Sequence, residues 1–234
     1  MAKATIIAVN YNTRKFIELC LKSIVKNTVM PYRVIIVDNG SSDGSAGYLL
    51  EVSRAYPNIH FVRRNAKFSA AEHGKAIDQI LYTSKIIKTP LVCTIDSDAY
   101  AAKKGWLTEI NEKRGNAFAA GYEHFRDNRC LHPACMLFDY QRLLLLGRPS
   151  FALTKKQGRF LDTGIMVSER AIERREKLIG IKSMQQLVPH RWCATRVLKV
   201  DGDQKLDGNF TRAEYNKVNE KWFAKQEIID IMQK

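Results

Sequence analysis

Apolar residues in this chain come in short runs, separated by polar, turn-forming segments. Residues 4–9 (ATIIAV) are rich in β-branched side chains and predict a buried strand. Residues 15–26 follow, with Phe16, Leu19, Cys20 and Ile24 at helical spacing. Residues 33–37 (RVIIV) predict a second strand, and 38–45 (DNGSSDGS) a turn-rich loop. Helix is expected over 46–55, a third strand over 59–62 after Pro57-Asn58, and a long helix over about 69–88. Residues 90–95 (PLVCTI) predict a fourth strand. This alternation implies right-handed crossovers and an α/β fold, with a mostly parallel central sheet flanked by helices.

The second half is less regular. Helices are expected over 106–113, 140–146 and 168–178, and strands over 117–122 and 134–138. Residues 147–158 are rich in turn-forming and basic residues, the pattern of a mobile segment. Thr211-Arg212-Ala213-Glu214 matches a capping box, with Phe210 and Tyr215 as its hydrophobic staple. The helix that follows carries Val218, Trp222, Phe223, Ile228, Ile229 and Ile231. Its apolar face is expected to dock on the domain; a membrane-surface helix is the alternative.

Composition narrows the class. A chain of 234 residues, 45% hydrophobic, fits one globular domain. It has no apolar run of membrane-spanning length and no signal-peptide pattern. Five cysteines, an odd number and widely spaced, argue for reduced thiols and a cytoplasmic setting. The formal charge of +14 favours anionic partners. That charge is spread along the chain: residues 1–100 hold 13 basic and 8 acidic groups, the remainder 25 and 16. The densest stretch, 170–177 (RAIERREK), reads as a solvated helix face with internal ion pairs.

The chemistry starts with Asp96-Ser97-Asp98, placed directly after the fourth strand. A carboxylate pair there lies at the carboxyl edge of the sheet, where open α/β folds bind ligands. Two such acids repel each other unless a cation sits between them, and hard divalent ions bridge carboxylates to phosphates. No G-x-G-x-x-G follows the first strand and no G-x-x-x-x-G-K-[ST] occurs, which weakens dinucleotide redox chemistry and P-loop hydrolysis. Instead the first strand ends in Asn10-Tyr11-Asn12 and the second in Asp38-Asn39-Gly40. A tyrosine face and an aspartate acceptor suit a nucleoside base, although Asn and Asp favour such turns anyway.

Val9-Asn10-Tyr11-Asn12, the strand Val34-Ile35-Ile36-Val37 with its Asp38–Ser45 loop, and Asp96-Ser97-Asp98 before Gly105-Trp106-Leu107 occur in one order on strand ends. Together they resemble the nucleotide-binding half of a GT-A (Rossmann-like) glycosyltransferase, closest to glycosyltransferase family 2. The resemblance implies a single GT-A domain, with residues 1–110 as its nucleotide-sugar half. Residues 111–234 would be its acceptor-binding and catalytic half with the C-terminal helix. It implies that Asn10, Tyr11 and Asp38 hold the nucleoside, and that Asp96 lies near the ribose or a metal-bound water. Asp98 would bind Mn²⁺ or Mg²⁺, and His190, in Pro189-His190-Arg191-Trp192, would join that metal site as GT-A enzymes often add a C-terminal His.

Relatives often carry Asn-x-Gly-Phe-x-x-Ala-x-Asn ahead of the third helix; here Lys67 replaces the Gly and His73 the last Asn. Both are candidate diphosphate contacts, or equally surface substitutions. Arg191 and Arg196 are phosphate or acceptor candidates, since Arg binds phosphate in a bidentate way. Asp162, in Leu161-Asp162-Thr163-Gly164, is the preferred catalytic base, similar to Asp-Thr-Gly stretches in some relatives. A turn aspartate explains it as well. Glu123, Asp127, Glu169 and Glu173 are reserves. Cys130, His132, Cys135 and His124 fit no familiar zinc spacing.

The function this implies is a metal-dependent, inverting glycosyltransferase. It would move a sugar from a nucleoside-diphosphate donor, UDP-type, to a hydroxyl of a glycan, lipid carrier or lipopolysaccharide. Peripheral membrane contact fits the basic charge, and no nucleic acid is expected. Two alternatives are a nucleotidyltransferase, which usually carries a Gly-rich basic loop after the first strand, and a basic nucleic-acid-binding module, which leaves the carboxylate pair unexplained.

Overall fold

The structure, a computed structural model, describes residues 1–66, 70–125, 127–156, 159–191 and 212–233. Its first half runs β1 (Ala4–Asn10), α1 (Arg14–Asn27), β2 (Tyr32–Asp38), α2 (Ser45–Ala55), β3 (Ile59–Arg63), α3 (Ala70–Asp78) and β4 (Leu91–Asp96). The second half runs α4 (Trp106–Arg114), β5 (Ala119–His124), β6 (Asp127–Asp139), α5 (Tyr140–Leu145), β7 (Thr154–Lys156), β8 (Arg159–Leu161), α6 (Ile165–Glu173), β9 (Leu178–Gly180) and α7 (Met184–Leu187). Two C-terminal helices follow, α8 (Arg212–Phe223) and α9 (Gln226–Met232).

Seven strands form one sheet in the order β3-β2-β1-β4-β6-β5-β9. β1 to β4 pair in parallel, as the continuous apolar runs predict. β6 runs antiparallel between β4 and β5, so the sheet is mixed. Alternation along β1 divides the core between the two faces. Ile6 and Ala8 pack against Ile17, Cys20 and Ile24 of α1, whereas Ile7 and Val9 pack with Ala76, Ile77 and Ile80 on the α3 side.

The structure corrects several sequence expectations. The third helix stops early: α3 passes into a π turn over Gln79–Thr83, and Lys85 takes a left-handed φ of 53°. Pro90 then disfavours helical backbone at Thr89. β6 is 13 residues long and far exceeds the expected 134–138. Its polar first half hides it, and its register shifts against β5 between Gly121 and Tyr122. Pro133 falls within that irregularity, where the lost ladder donor costs least. A Cβ on Gly121 would lie 2.2 Å from the Cys135 carbonyl oxygen, so only glycine fits this crossing.

α6 begins and ends earlier than 168–178, because residues 178–180 are claimed by β9, which pairs with β5. Arg175, with φ 59°, turns the chain between them. The segment expected to be mobile is anchored at its start: Phe151 is fully buried, and its N–H and the Ser150 hydroxyl both donate to Asp78 at 2.8 and 2.5 Å. A short β7–β8 hairpin follows it.

The C-terminal helix docks on the domain. Ile228 and Ile231 pack with Leu19 of α1 and Tyr100, and the Tyr100 hydroxyl donates to Glu227 at 2.5 Å. Phe210 and Thr211 of the capping box lie outside the described residues. Cys20, Cys93, Cys130 and Cys135 are free and buried. Among the described residues, no helix is long and apolar enough to cross a membrane.

Candidate functional site

The parallel register fixes where the loops meet. Asn10 pairs with Asp38 across β1 and β2, and Val9 with Asp96 across β1 and β4. All three strands therefore deliver their loops to one edge. The Asn10 amide donates to Asp38 Oδ1 at 2.8 Å and to the Ser41 hydroxyl at 3.0 Å. Asp38 also accepts from the Ser41 N–H at 2.9 Å, the Gly40 N–H at 3.2 Å and the Ser41 hydroxyl at 2.5 Å. The Thr13 hydroxyl, 2.6 Å from Asn10 Oδ1 and 3.0 Å from Ser97 Oγ, links this network to the β4 loop. Asp38 is wholly buried, so its carboxylate shapes the loop from beneath; Tyr11, beside it in sequence, is only half-buried.

Beyond β4 lies a tight cluster. His190 Nε2 is 2.8 Å from Asp98 Oδ1 and 3.4 Å from Asp96 Oδ2. The backbone sets this meeting: Ala99 and His190 form an antiparallel bridge, the Arg191 N–H donates to the Asp98 carbonyl at 2.9 Å, and the Tyr100 N–H to the Pro189 carbonyl at 3.1 Å. The Tyr122 hydroxyl of β5 donates to the Val188 carbonyl and supports the same segment. Burial alone would lower the pKa of His190, but the charge of Asp98 and its hydrogen bond outweigh it and raise the value. Asp96 Oδ1 is buried and takes no hydrogen bond, with His73 Nε2 3.4 Å away.

One atom from each of Asp96, Asp98 and His190 lies within 4.8 Å of the others. Two carboxylates and an imidazole, with one buried oxygen lacking a donor, fit a divalent ion such as Mn²⁺. Among the described residues this is the metal-capable group of His, Cys, Asp and Glu side chains. Cys130 packs with Leu161 and Ile165, and Cys135 lies 3.9 Å from Cys93, so the cysteines are core residues.

A second cluster adjoins the first. Asp162 follows β8, and Gly164, with φ 80°, turns the chain into α6. Asp162 Oδ1 accepts from the Thr163 N–H at 2.8 Å, and Oδ2 lies 3.8 Å from His124 Nε2. His124, chiefly, with the Thr163 N–H and His132, pulls the Asp162 carboxyl down to about 2 against the opposing effect of burial. The His132 ring centroid is 5.4 Å from that of His124. Burial pushes His132 down to about 4, so it is neutral near pH 7; Asp96 and Asp162 oppose this and His190 reinforces it. His132 stands electrically between both clusters. Its Nδ1 accepts from the Ala134 N–H at 3.0 Å, which leaves the proton on Nε2.

The reserves lie elsewhere or are paired. Arg170 bridges Glu173 at 3.0 Å, Arg129 bridges Asp127 at 2.8 Å, and Glu123 is exposed. Arg191 adjoins the metal-capable cluster, but its Nε donates to Asn219 of α8 at 3.0 Å. Lys67 and Arg196 lie outside the described residues. Sequence reasoning missed His132 as a site residue and weighed His124 only for zinc. No local sequence signal marks either: the β5–β6 pairing, which sets His132 opposite Tyr122, brings the two rings together.

Residues 5–114 match the family described as Glycosyl transferase family 2. A poly(ribitol-phosphate) beta-glucosyltransferase of Bacillus spizizenii is 31% identical over 119 residues, covering 49% of this chain and 18% of that protein. A teichoic acid poly(glycerol phosphate) polymerase of Staphylococcus epidermidis is 31% identical over 99 residues, 42% of this chain and 13% of its own. The matched stretches thus span less than a fifth of either relative. Among solved structures, S. aureus TarS residues 1–349 in complex with UDP-GlcNAc aligns with a TM-score of 0.58 at 15% identity, covering 98% of this chain and 78% of that one. The mannosyltransferase PcManGT of Pyrobaculum calidifontis, in complex with GDP-Man and Mn²⁺, aligns with a TM-score of 0.58 at 18% identity, covering 76% and 54%. In fold this chain is therefore similar to these solved structures, and over residues 5–114, just under half of its length, it matches glycosyl transferase family 2.

Proposed function

We propose that the chain is the transfer module of a metal-dependent, inverting glycosyltransferase using a nucleoside-diphosphate sugar, UDP-type, as donor. The observation that carries this reading is the Asp96–Asp98–His190 cluster beside the Asn10–Asp38 loop network, on one sheet edge. Two structural neighbours were solved with nucleotide sugars, one of them also with Mn²⁺. Residues 1–110 then form the donor half and 111–234 the acceptor half. Asn10 and Asp38 hold the loop that presents Tyr11 to the base. His73 and Lys67, with Arg191 and Arg196, are proposed to face the diphosphate. Asp98 and His190 are the proposed direct ligands of Mn²⁺ or Mg²⁺, with Asp96 at the ribose or a bound water.

A divalent ion there supplies positive charge against the diphosphate as the glycosidic bond breaks. The acceptor hydroxyl oxygen attacks the anomeric carbon, and its electron pair forms the new C–O bond. The bond from that carbon to the β-phosphate oxygen breaks, and its pair leaves on the nucleoside diphosphate. Asp162 takes the hydroxyl proton. The charge of +14 and the polyol-phosphate polymers named for both sequence relatives favour an anionic acceptor.

Thermal melting with UDP-glucose, UDP-GlcNAc and GDP-mannose, each with and without Mn²⁺, tests the donor half. A ligand at 100 times its Kd stabilises by about 2.7 kcal/mol, so a clear metal-dependent rise in Tm is expected with at least one donor. No rise with any of them overturns the reading.

A further inference from the structure

We propose that His124 is the positioning residue of Asp162: it aims the carboxylate at the acceptor hydroxyl. This rests on the reading of Asp162 as the base. The geometry behind it is a buried imidazole packed against two aromatic rings. His124 ends β5 with its side chain wholly buried. Phe125, itself 64% exposed, stacks on the ring at a centroid distance of 4.7 Å and an interplanar angle of 20°. His132 of β6 flanks the ring and is neutral near pH 7. The charged groups nearby are Asp162 from the β8–α6 turn and, beyond His132, Asp96 and His190. Of these, Asp162 is the carboxylate that His124 Nε2 meets, at 3.8 Å.

The two residues are held by separate parts of the fold. β5 and β6 pair His124 with Asp127, and Tyr122 with His132. The Asp162 turn is pinned by its own Thr163 N–H, by the Ile165 N–H donating to the Asp162 carbonyl at 3.2 Å, and by Ser168 accepting from the Leu131 N–H at 2.9 Å. The carboxylate is thus fixed through Oδ1, and Oδ2 faces His124. About a quarter of the Asp162 side chain stays open to solvent, enough for a hydroxyl to approach. A distance of 3.8 Å is longer than a hydrogen bond; such contacts tighten when substrate fills the site.

A base must be both ionised and aimed when the acceptor oxygen attacks. His124, with Nε2 turned toward Asp162 Oδ2, supplies the aim. A lowered carboxyl is also a weaker base, and Asp162 is ionised near pH 7 with or without His124, so the benefit lies in aim. The effect belongs in kcat for transfer and not in donor affinity.

The test compares His124→Phe, which removes the donor but keeps a ring, with His124→Gln, which keeps a donor, and with Asp162→Asn. Folding is checked by thermal melting, and donor binding by titration with UDP and Mn²⁺. Carbon-13 NMR of the Asp162 carboxyl reads the pairing without turnover. The midpoint should rise toward the ordinary aspartate value in His124→Phe and fall back in His124→Gln. UDP release from UDP-glucose or UDP-GlcNAc, with glycerol 3-phosphate or water as acceptor, reads the chemistry. His124→Phe should lower kcat by about 10-fold or more with the donor KM unchanged. His124→Gln should recover most of it. Added to Asp162→Asn, His124→Phe should cost nothing further, because both changes remove one function.

An unchanged Asp162 midpoint in His124→Phe overturns the inference and leaves the base assignment standing. So does an equal slowing of the Asp162→Asn enzyme, which marks His124 as merely structural. Asp162→Asn turning over like the wild type removes the base assignment, and this inference with it.

Discussion

Asp98 and His190, 92 positions apart in sequence, meet at 2.8 Å because the segment before Arg191 is laid antiparallel on the chain that leaves β4. On the proposed reading, each depends on the other to complete a cation site with Asp96. Removing the imidazole leaves two carboxylates facing each other with one ligand fewer. Loss of groups that only orient metal ligands costs about 10- to 100-fold in affinity, so loss of a ligand should cost at least as much. His190→Ala is therefore expected to weaken Mn²⁺ binding by at least about 10-fold in calorimetric titration. Asp98→Ala should abolish the metal-dependent rise in Tm with donor. A variant that still responds like the wild type would remove that residue from the metal site.

Asp38 behaves as a scaffold in this structure. Its oxygens accept from Asn10, Ser41 and Gly40, and none of its side chain reaches solvent. Asp38→Ala strands the buried Ser41 N–H and the partly buried Gly40 N–H, and takes one acceptor each from the Asn10 amide and the Ser41 hydroxyl. Each unsatisfied group costs about 1–3 kcal/mol, and partial relaxation keeps the sum below simple addition. A loss of about 3 kcal/mol in urea unfolding is expected, together with weaker donor binding. A drop in donor affinity with no change in stability would instead make Asp38 a direct nucleoside contact.

The parallel half was legible because its physics is local. Strands buried on both faces read as unbroken apolar runs, and Asp38 and Asp96 stand immediately after two of them. The second half depends on pairings that no local pattern carries. β6 opens with the polar run Asp127-Asn128-Arg129 and holds Pro133, and β9 is three residues that matter only as partners of β5. The same division runs through the site. Asp96 and Asp98 are one residue apart in sequence, so their repulsion could be argued from the tripeptide. His190 came from family resemblance. His124 and His132 are single histidines in unremarkable surroundings, and only the β5–β6 register brings their rings within 5.4 Å.

α9 is expected to stabilise the metal-capable cluster from behind. Ile228 is fully buried against Leu19 and Tyr100, and the Tyr100 N–H donates to Pro189, next to His190. Ile228→Ala removes buried volume and should cost about 2–5 kcal/mol. The same variant should bind Mn²⁺ less tightly, because the Tyr100–Pro189 contact that aligns His190 loses its support. Thermal melting and metal titration on one preparation separate the two effects. Full stability loss with unaltered metal affinity would show that the helix docks without bearing on the site.

Asp162 adds a pH dependence of definite sign. Its carboxyl is lowered from 3.8 to about 2 in the folded protein, first by His124 and then by the Thr163 N–H. A depressed folded pKa means that the unfolded chain binds the proton more readily. The contribution to stability is therefore fully present above about pH 4 and is lost as pH falls from there toward 2. Asp162→Asn removes it, so the difference in urea midpoint between wild type and variant should be constant from pH 7 to 5. It should shrink as the pH falls below 4. Solvent reaches part of this side chain and screens the pair, which keeps the difference small but leaves its direction unchanged. A gap that widens on acidification would mean that the carboxylate is destabilising in the fold, and that His124 and Thr163 do not hold it.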